Sequence, residues 1–295
     1  VLSSFLSRLL AKVGVYSEWV KFPHTLFALP FALMGAVLAA RGLPPGRTLA
    51  WILVAMVGAR SGAMGANRLA DWRFDALNPR TRDRALPRGL LGRAEALAFV
   101  GIAFALFFVA AWQLNRLCFA LSPLAAAIVV GYSFTKRFTV LTHACLGLAL
   151  AIAPIGGWIA VSGRFALPPI LIGLAVLAWV AGFDILYALA DVEFDRRHGL
   201  YSLPARLGVG PALVVARGLH AASFACLAAL VPLLGLGGWF AAGLVSIAGL
   251  LAYEHLLLWR HGLAKLDIAF FTVNGAISIA MLAFTLADVL LRRGG

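Results

Sequence analysis

Acidic side chains are scarce in this sequence: twelve Asp and Glu in 295 residues, against 25 Lys and Arg. Charge of either sign makes up only 13% of the chain, where a soluble domain carries about 25%. Cysteine is nearly missing. Cys118, Cys145 and Cys226 sit inside apolar runs without metal-ligand spacing, and an odd count argues against a disulfide framework. What replaces the missing polar residues is apolar: 62% of positions are hydrophobic and the mean hydropathy is +0.94. A soluble fold of this length would have to hide far too much apolar surface. The lipid bilayer is the solvent this composition suits. The formal net charge of +13 does not mark a nucleic-acid binder, because the basic residues stand in short connectors between long apolar spans.

A membrane-crossing helix needs about 20 predominantly apolar residues. Nine such stretches are predicted, near 22–41, 48–70, 94–112, 115–133, 139–161, 167–190, 209–233, 236–259 and 267–291. They are helices, since a chain in lipid satisfies its backbone internally and barrel strands would alternate. Residues 1–21 alternate Leu2, Phe5, Leu9 and Trp19 with Arg8, Lys12 and Lys21, the pattern of an interfacial amphipathic helix. With a cytoplasmic N-terminus, eighteen Lys and Arg fall in inward segments and six in outward ones, leaving Arg60 inside a span. That bias supports both the count and the orientation. The fold expected is all-α: nine transmembrane helices in one domain over 1–295, with cytoplasmic motif loops at 67–93 and 191–208.

The few acids are not scattered. Seven of the twelve lie in two stretches, 71–83 and 184–195, both at predicted cytoplasmic ends of spans. Asn67, Asp71 and Asp75 repeat every four residues and share one helical face. Asp184, Tyr187, Asp191 and Asp195 form a second stripe of the same kind. Two facing rows of carboxylates repel unless cations lie between them. Mg²⁺ suits such a place, because it takes one or two carboxylates from protein and completes its shell with water and phosphate oxygens. A single Asp at a helix end is ordinarily a solvated terminus. Two in-phase clusters holding most of the acids of so apolar a chain are a functional site.

Cations accompany the acids. Arg60 lies seven residues before Asn67 on the same face, and an isolated Arg near the membrane centre costs about 3 kcal/mol on insertion scales unless an anion pairs with it. Arg80 and Arg84 follow Asp75, Tyr132, Lys136 and Arg137 follow the fourth span, and Arg206 follows Asp195. Carboxylates for metal beside Arg and Lys for charge neutralisation compose a diphosphate site.

At these residues the sequence resembles the UbiA superfamily of intramembrane prenyltransferases. The first family motif, Asn-x-x-x-Asp-x-x-x-Asp, appears as Asn67, Asp71 and Asp75, and the trailing Arg80-Thr81-x-x-Arg84-x-Leu86-Pro87-x-Gly89 looks like the family's first cytoplasmic loop. The second motif is present in full as Asp184, Tyr187, Asp191 and Asp195. Arg68 departs from the pattern, since many members carry Asp directly after the Asn. The resemblance covers essentially the whole chain. It implies a bundle around a central cavity with a lateral opening for the isoprenoid tail, in a bacterial inner membrane, with the active site facing the cytoplasm. The segments 21–31 and 183–189 are also similar to a sub-branch linked to menaquinone made through futalosine, where the acceptor is a hydroxynaphthoate rather than 4-hydroxybenzoate.

The expected reaction joins an isoprenoid diphosphate to an aromatic acid with two Mg²⁺ ions, one on Asn67 and Asp71 and one on Asp191 and Asp195, and Asp75 as a further candidate ligand. Arg60, Lys136, Arg137 and Arg80 or Arg84 take the remaining diphosphate oxygens. Tyr187 and Asp184 face the allylic cation, while Tyr132, Arg206 and His24 are candidates for the acceptor. Lipid-phosphate prenyl transfer and terpene cyclisation would keep the same site. A transporter fits less well, because the acids gather at one membrane face and no Gly/Pro-broken helix pair marks a midplane site.

Overall fold

The computed structural model describes residues 12, 14–20 and 25–291, and all regular structure among them is helical. The long helices are α1 (Thr25–Ala40), α2 (Gly46–Leu77), α3 (Arg93–Leu114), α4 (Arg116–Thr135), α5 (Thr142–Ser162) and α6 (Leu167–Tyr187). Beyond a 3-10 turn at Ala188–Asp191 come the short α7 (Val192–Arg197) and α8 (Leu203–Leu207). They lead into α9 (Val209–Ala228), α10 (Leu230–Leu234), α11 (Gly238–His261) and α12 (Asn274–Leu291), the last preceded by a π-helical turn at Ile268–Val273.

Among the described residues, eight helices are long and apolar enough to cross a membrane; α1, in the place of the first of the nine expected spans, is apolar but shorter. The motif loops are corrected at one point. Residues 67–77, expected to begin a loop, instead complete the 32-residue α2. Apolar side chains on the outer faces stay exposed, including Ile102, Val214 and Val245. Trp112, Trp239 and Trp259, all exposed near helix ends, stand where an interfacial aromatic belt belongs. The segment at 14–20 is not a free interfacial helix. Trp19 and Val20 are buried, Trp19 meets Phe99 of α3 edge-on at 5.5 Å, and the Tyr16 hydroxyl donates to Glu95 at 2.7 Å.

Proline stands inside α1, α4 and α5, at Pro30, Pro123 and Pro154. A transmembrane helix tolerates it because neighbouring helices and side chains satisfy the freed backbone groups. Glycine sets how closely the helices meet. A Cβ on Gly157 would lie 2.0 Å from the Ala32 carbonyl oxygen, and one on Gly35 would lie 2.2 Å from that of Pro154. So α1 and α5 are in backbone contact, as small residues allow in membranes. Gly157→Leu should therefore push the two helices apart and destabilise the protein by on the order of 3 kcal/mol. A fall of several degrees in the heating midpoint, followed by size exclusion in detergent, checks this; an unchanged midpoint contradicts it.

The packed core belongs to α1, α5, α6, α11 and α12, where Met34, Ile172, Trp179, Phe240, Ile277 and Met281 interlock. Asp288, itself buried, accepts from the Gly237 and Phe240 amides at 2.9 to 3.2 Å and caps the start of α11. Between α2, α4, α5 and α6 the bundle is not filled, and a cavity remains.

Candidate active site

This cavity, about 590 Å³, has two distinct parts. Ile52, Met56, Phe107, Leu121 and Ile159 line its apolar length, and the polar residues gather at its other end, beside the long connectors. Asn67, Asp71 and Asp75 reach that end because the uninterrupted α2 keeps their four-residue spacing on one face.

Four of the five carboxylates there, Asp71, Asp75, Asp184 and Asp191, already meet a cation or a histidine. Lys136 lies 2.8 Å from one oxygen of Asp71, while Arg137 lies 3.5 Å from the other and donates to the Ala70 carbonyl at 2.6 Å. The Asn67 amide donates to Asp71 at 3.4 Å. Arg84 folds back to Asp75 at 2.7 Å, and the Thr81 hydroxyl donates to the Asp75 carbonyl at 3.0 Å. Both contacts curl the connector after α2 over the end of that helix. Arg80 then crosses to the second acidic group, pairing with Asp191 and donating to the Tyr187 hydroxyl at 2.7 Å. Asn78 spans the same gap: its amide donates to Asp191 at 3.2 Å and its oxygen accepts the Arg80 backbone N–H at 2.9 Å. Burial works to lower the pKa of Arg80, but the hydrogen bond and charge of Asp191, helped by Tyr187, outweigh it and hold the guanidinium above its ordinary range. Asp184 takes its partner from α5, with His143 Nδ1 at 2.7 Å.

Two cations are left over. Arg60 and Arg68 both line the cavity, Arg68 being 8% exposed, and neither makes a hydrogen bond or ion pair among the described residues. A guanidinium in that position is costly without an anion, so the cavity is electrostatically prepared for a negatively charged guest.

The second acidic group is not one continuous helical stripe, as its spacing suggests. The α-helix ends at Tyr187, the 3-10 turn carries Asp191, and α7 carries Asp195. The tighter turn rotates Asp191 relative to Asp184 and brings it to the Asn78–Arg80 connector. Of the other residues expected at the site, Tyr132, Lys136, Asp184, Tyr187 and Asp195 line the cavity. Arg137 reaches Asp71 without forming part of the wall, and Arg206 stacks over Tyr201 at 3.8 Å, outside the residues that line the cavity. His24 falls outside the described residues.

Among the wall residues that sequence reasoning did not single out for the site are Arg68, Asn78, Ser133, His143 and Phe270. Phe270 sits on the π-helical turn and packs on the Tyr187 ring at 4.2 Å between centroids. Asn274 pins that turn, donating to the Ala269 carbonyl at 3.1 Å and to Glu254 at 2.8 Å while accepting from Trp179 at 2.8 Å. Apart from Arg68, which stands within the first motif, only Asn78 carried a local signal, in its Asn-Pro turn dipeptide.

Hard oxygen donors on two sides of one cavity suit Mg²⁺. Among the described residues no three His, Cys, Asp or Glu converge on one point, so an ion held here would take few of its ligands from protein carboxylates. That matches the habit of Mg²⁺, whose remaining ligands come from phosphate and water.

A model of the UbiA prenyltransferase family matches residues 28–280 of the chain. Over 283 residues the sequence is 32% identical to the 4-hydroxybenzoate octaprenyltransferase of Methylococcus capsulatus, covering 95% of this chain and 96% of that one. Among solved structures, the apo UbiA homologue of Aeropyrum pernix K1 aligns with a TM-score of 0.83 and 36% identity, over 90% of this chain and 98% of that one. A UbiA homologue from Archaeoglobus fulgidus bound to GPP and Mg²⁺ shares the fold, with a TM-score of 0.70 and 24% identity over 93% of this chain and 99% of that one.

Proposed function

Because this chain belongs to the UbiA prenyltransferase family and is therefore a multi-pass membrane prenyltransferase, we propose that it transfers a polyprenyl group from an isoprenoid diphosphate to an aromatic hydroxy acid in quinone biosynthesis. The reaction depends on Mg²⁺ and takes place at the cytoplasmic face of a bacterial inner membrane. The observation that carries this reading is the pairing of two acidic groups with a surplus of cations at one end of a largely apolar cavity. The relatives' names support the acceptor class, and the mixed cavity suits a donor with a charged head and a hydrocarbon tail.

Asp71 with Asn67, and Asp191 with Asp195, would hold two Mg²⁺ ions, with Asp75 kept on Arg84. When bound, the metal neutralises diphosphate charge and makes it a better leaving group. Lys136, Arg137 and Arg80, now paired with those same carboxylates, are then free to turn to the diphosphate oxygens, and Arg60 and Arg68 complete the positive wall. The C1–O bond breaks with its electron pair going to the diphosphate. Tyr187, its ring packed against Phe270, faces the allylic cation, whose charge an aromatic face stabilises. A ring carbon ortho to the acceptor hydroxyl supplies the pair for the new C–C bond, and loss of its proton restores aromaticity.

Incubation with geranyl diphosphate and a panel of hydroxybenzoates and hydroxynaphthoates, read by mass spectrometry, tests the assignment. A prenylated aromatic acid released together with diphosphate is the expected product, and the panel member consumed fastest identifies the acceptor. A cyclised hydrocarbon or a prenylated lipid phosphate would refute the acceptor class. EDTA should stop turnover and added Mg²⁺ restore it; undiminished turnover in EDTA would remove the metal from the mechanism.

A further inference from the structure

His143, in the first turn of α5, lines the cavity and is buried, at 4% exposure. Its two nitrogens have different partners. Nδ1 lies 2.7 Å from Asp184 Oδ2, and Nε2 lies 3.1 Å from the backbone nitrogen of Leu203. An amide N–H can only donate, so Nε2 is the unprotonated nitrogen and Nδ1 carries the ring proton toward Asp184. The hydrogen-bond pattern thus assigns one neutral tautomer.

The ring joins three elements. It belongs to α5, it holds the cavity-facing carboxylate of α6, and it satisfies the first amide of α8, whose N-cap Ser202 makes no side-chain capping bond. Leu200 and Ser202, on the strap that leads into α8, line the cavity. Asp184 Oδ2 is committed to the ring, and Asp184, one turn before Tyr187, lines the cavity, which leaves its other oxygen without a hydrogen bond to protein among the described residues.

We propose that His143 is a positioning residue for prenyl transfer: without exchanging a proton with substrate, it fixes Asp184 as an oriented anion opposite the reacting carbon and clamps the α8 strap across the site. This rests on the prenyl-transfer reading above. Both ring nitrogens are occupied within the protein, which leaves no face of the ring to act as an acid or base toward substrate. A fixed negative charge is worth most when it needs no reorganisation as the cation develops, and that is what a buried donor behind the carboxylate provides.

Glutamine separates positioning from proton transfer, because its amide offers one N–H donor and one carbonyl acceptor but does not titrate near neutrality. His143→Leu should lower kcat by about 100-fold, the scale of a small misplacement at a reacting centre, with KM for the isoprenoid diphosphate little changed. His143→Gln should recover most of that loss. Wild-type kcat in His143→Leu overturns the proposal, and so does a folded His143→Gln as impaired as the leucine variant. Wild-type protein inactive toward every aromatic acceptor would count against the substrate reading instead. A readout without substrate decides the geometry by itself. In histidine-¹⁵N-labelled protein in bilayers, the signals lost on His143→Gln should show a protonated Nδ1 and a bare Nε2. The opposite tautomer, or a doubly protonated ring, overturns the assignment.

Discussion

Asp71→Ala and Asp191→Ala should each reduce prenyl transfer by about 10³-fold or more, the scale seen when a group stabilising transition-state charge is lost, while the protein still inserts and folds. The two carboxylates stand on opposite sides of the cavity's polar end, and each now neutralises cations: Lys136 and Arg137 at Asp71, Arg80 at Asp191. Removing either carboxylate takes away a proposed metal ligand and leaves those cations in surplus. The diphosphate should still bind, since the positive wall is intact or stronger, so the loss should appear in kcat with KM for the donor unchanged or lowered. Folding should survive because the interlocked core of α1, α5, α6, α11 and α12 lies elsewhere. Asn variants at the same positions separate shape from charge and should be impaired nearly as much. Activity near the wild-type level in either alanine variant would sink the two-metal assignment.

Arg60→Met and Arg68→Met should show opposite effects on stability and function. Both guanidiniums line the cavity without a hydrogen bond or ion pair among the described residues, and only Arg68 feels a carboxylate nearby, that of Asp75, so each should destabilise the empty protein. Methionine keeps the length of the side chain and removes the charge. The empty variants should melt a few degrees higher, as a gain of about 1 kcal/mol gives in a protein of this size. Their kcat/KM should fall by about 100-fold, a loss of roughly 3 kcal/mol, as for truncating one partner of a buried charge pair. Heating curves with and without geranyl diphosphate read both effects. Wild-type protein should gain stability from the ligand, and the variants should gain much less. Variants that melt lower when empty, or that keep the full ligand shift, would show that neither arginine is held in readiness for an anion. Strain of this kind is how an active site trades stability for function.

The membrane character, the helical class and both acidic motifs were legible from the chain alone. Spans are runs of local composition, and Asn67, Asp71 and Asp75 stay in phase because one helix carries all three. The same logic failed where the backbone changed helix type. From Tyr187 to Asp195 the spacing reads as a single stripe, yet a 3-10 turn breaks it and turns Asp191 toward Asn78. Arg206 was legible only as one more basic residue near a motif, and periodicity could not tell that it stacks over Tyr201 instead. His143 carried no signal at all, because its meaning lies in partners 41 and 60 residues away.

Composition and short-range spacing thus determined that this protein lives in lipid, that its few acids form two groups, and that those groups share the end of the bundle bearing the basic connectors. Which cation meets which carboxylate was decided by tertiary structure. So were the bridge from Asn78 and Arg80 to Asp191, the absence of an ion pair at Arg60 and Arg68 among the described residues, and the tautomer of His143. The physical reason is that these depend on how helices approach one another. That approach is set by shape, through glycines such as Gly35 and Gly157 that admit backbone contact, and by connectors folding back over helix ends. Neither leaves a periodic trace in the sequence.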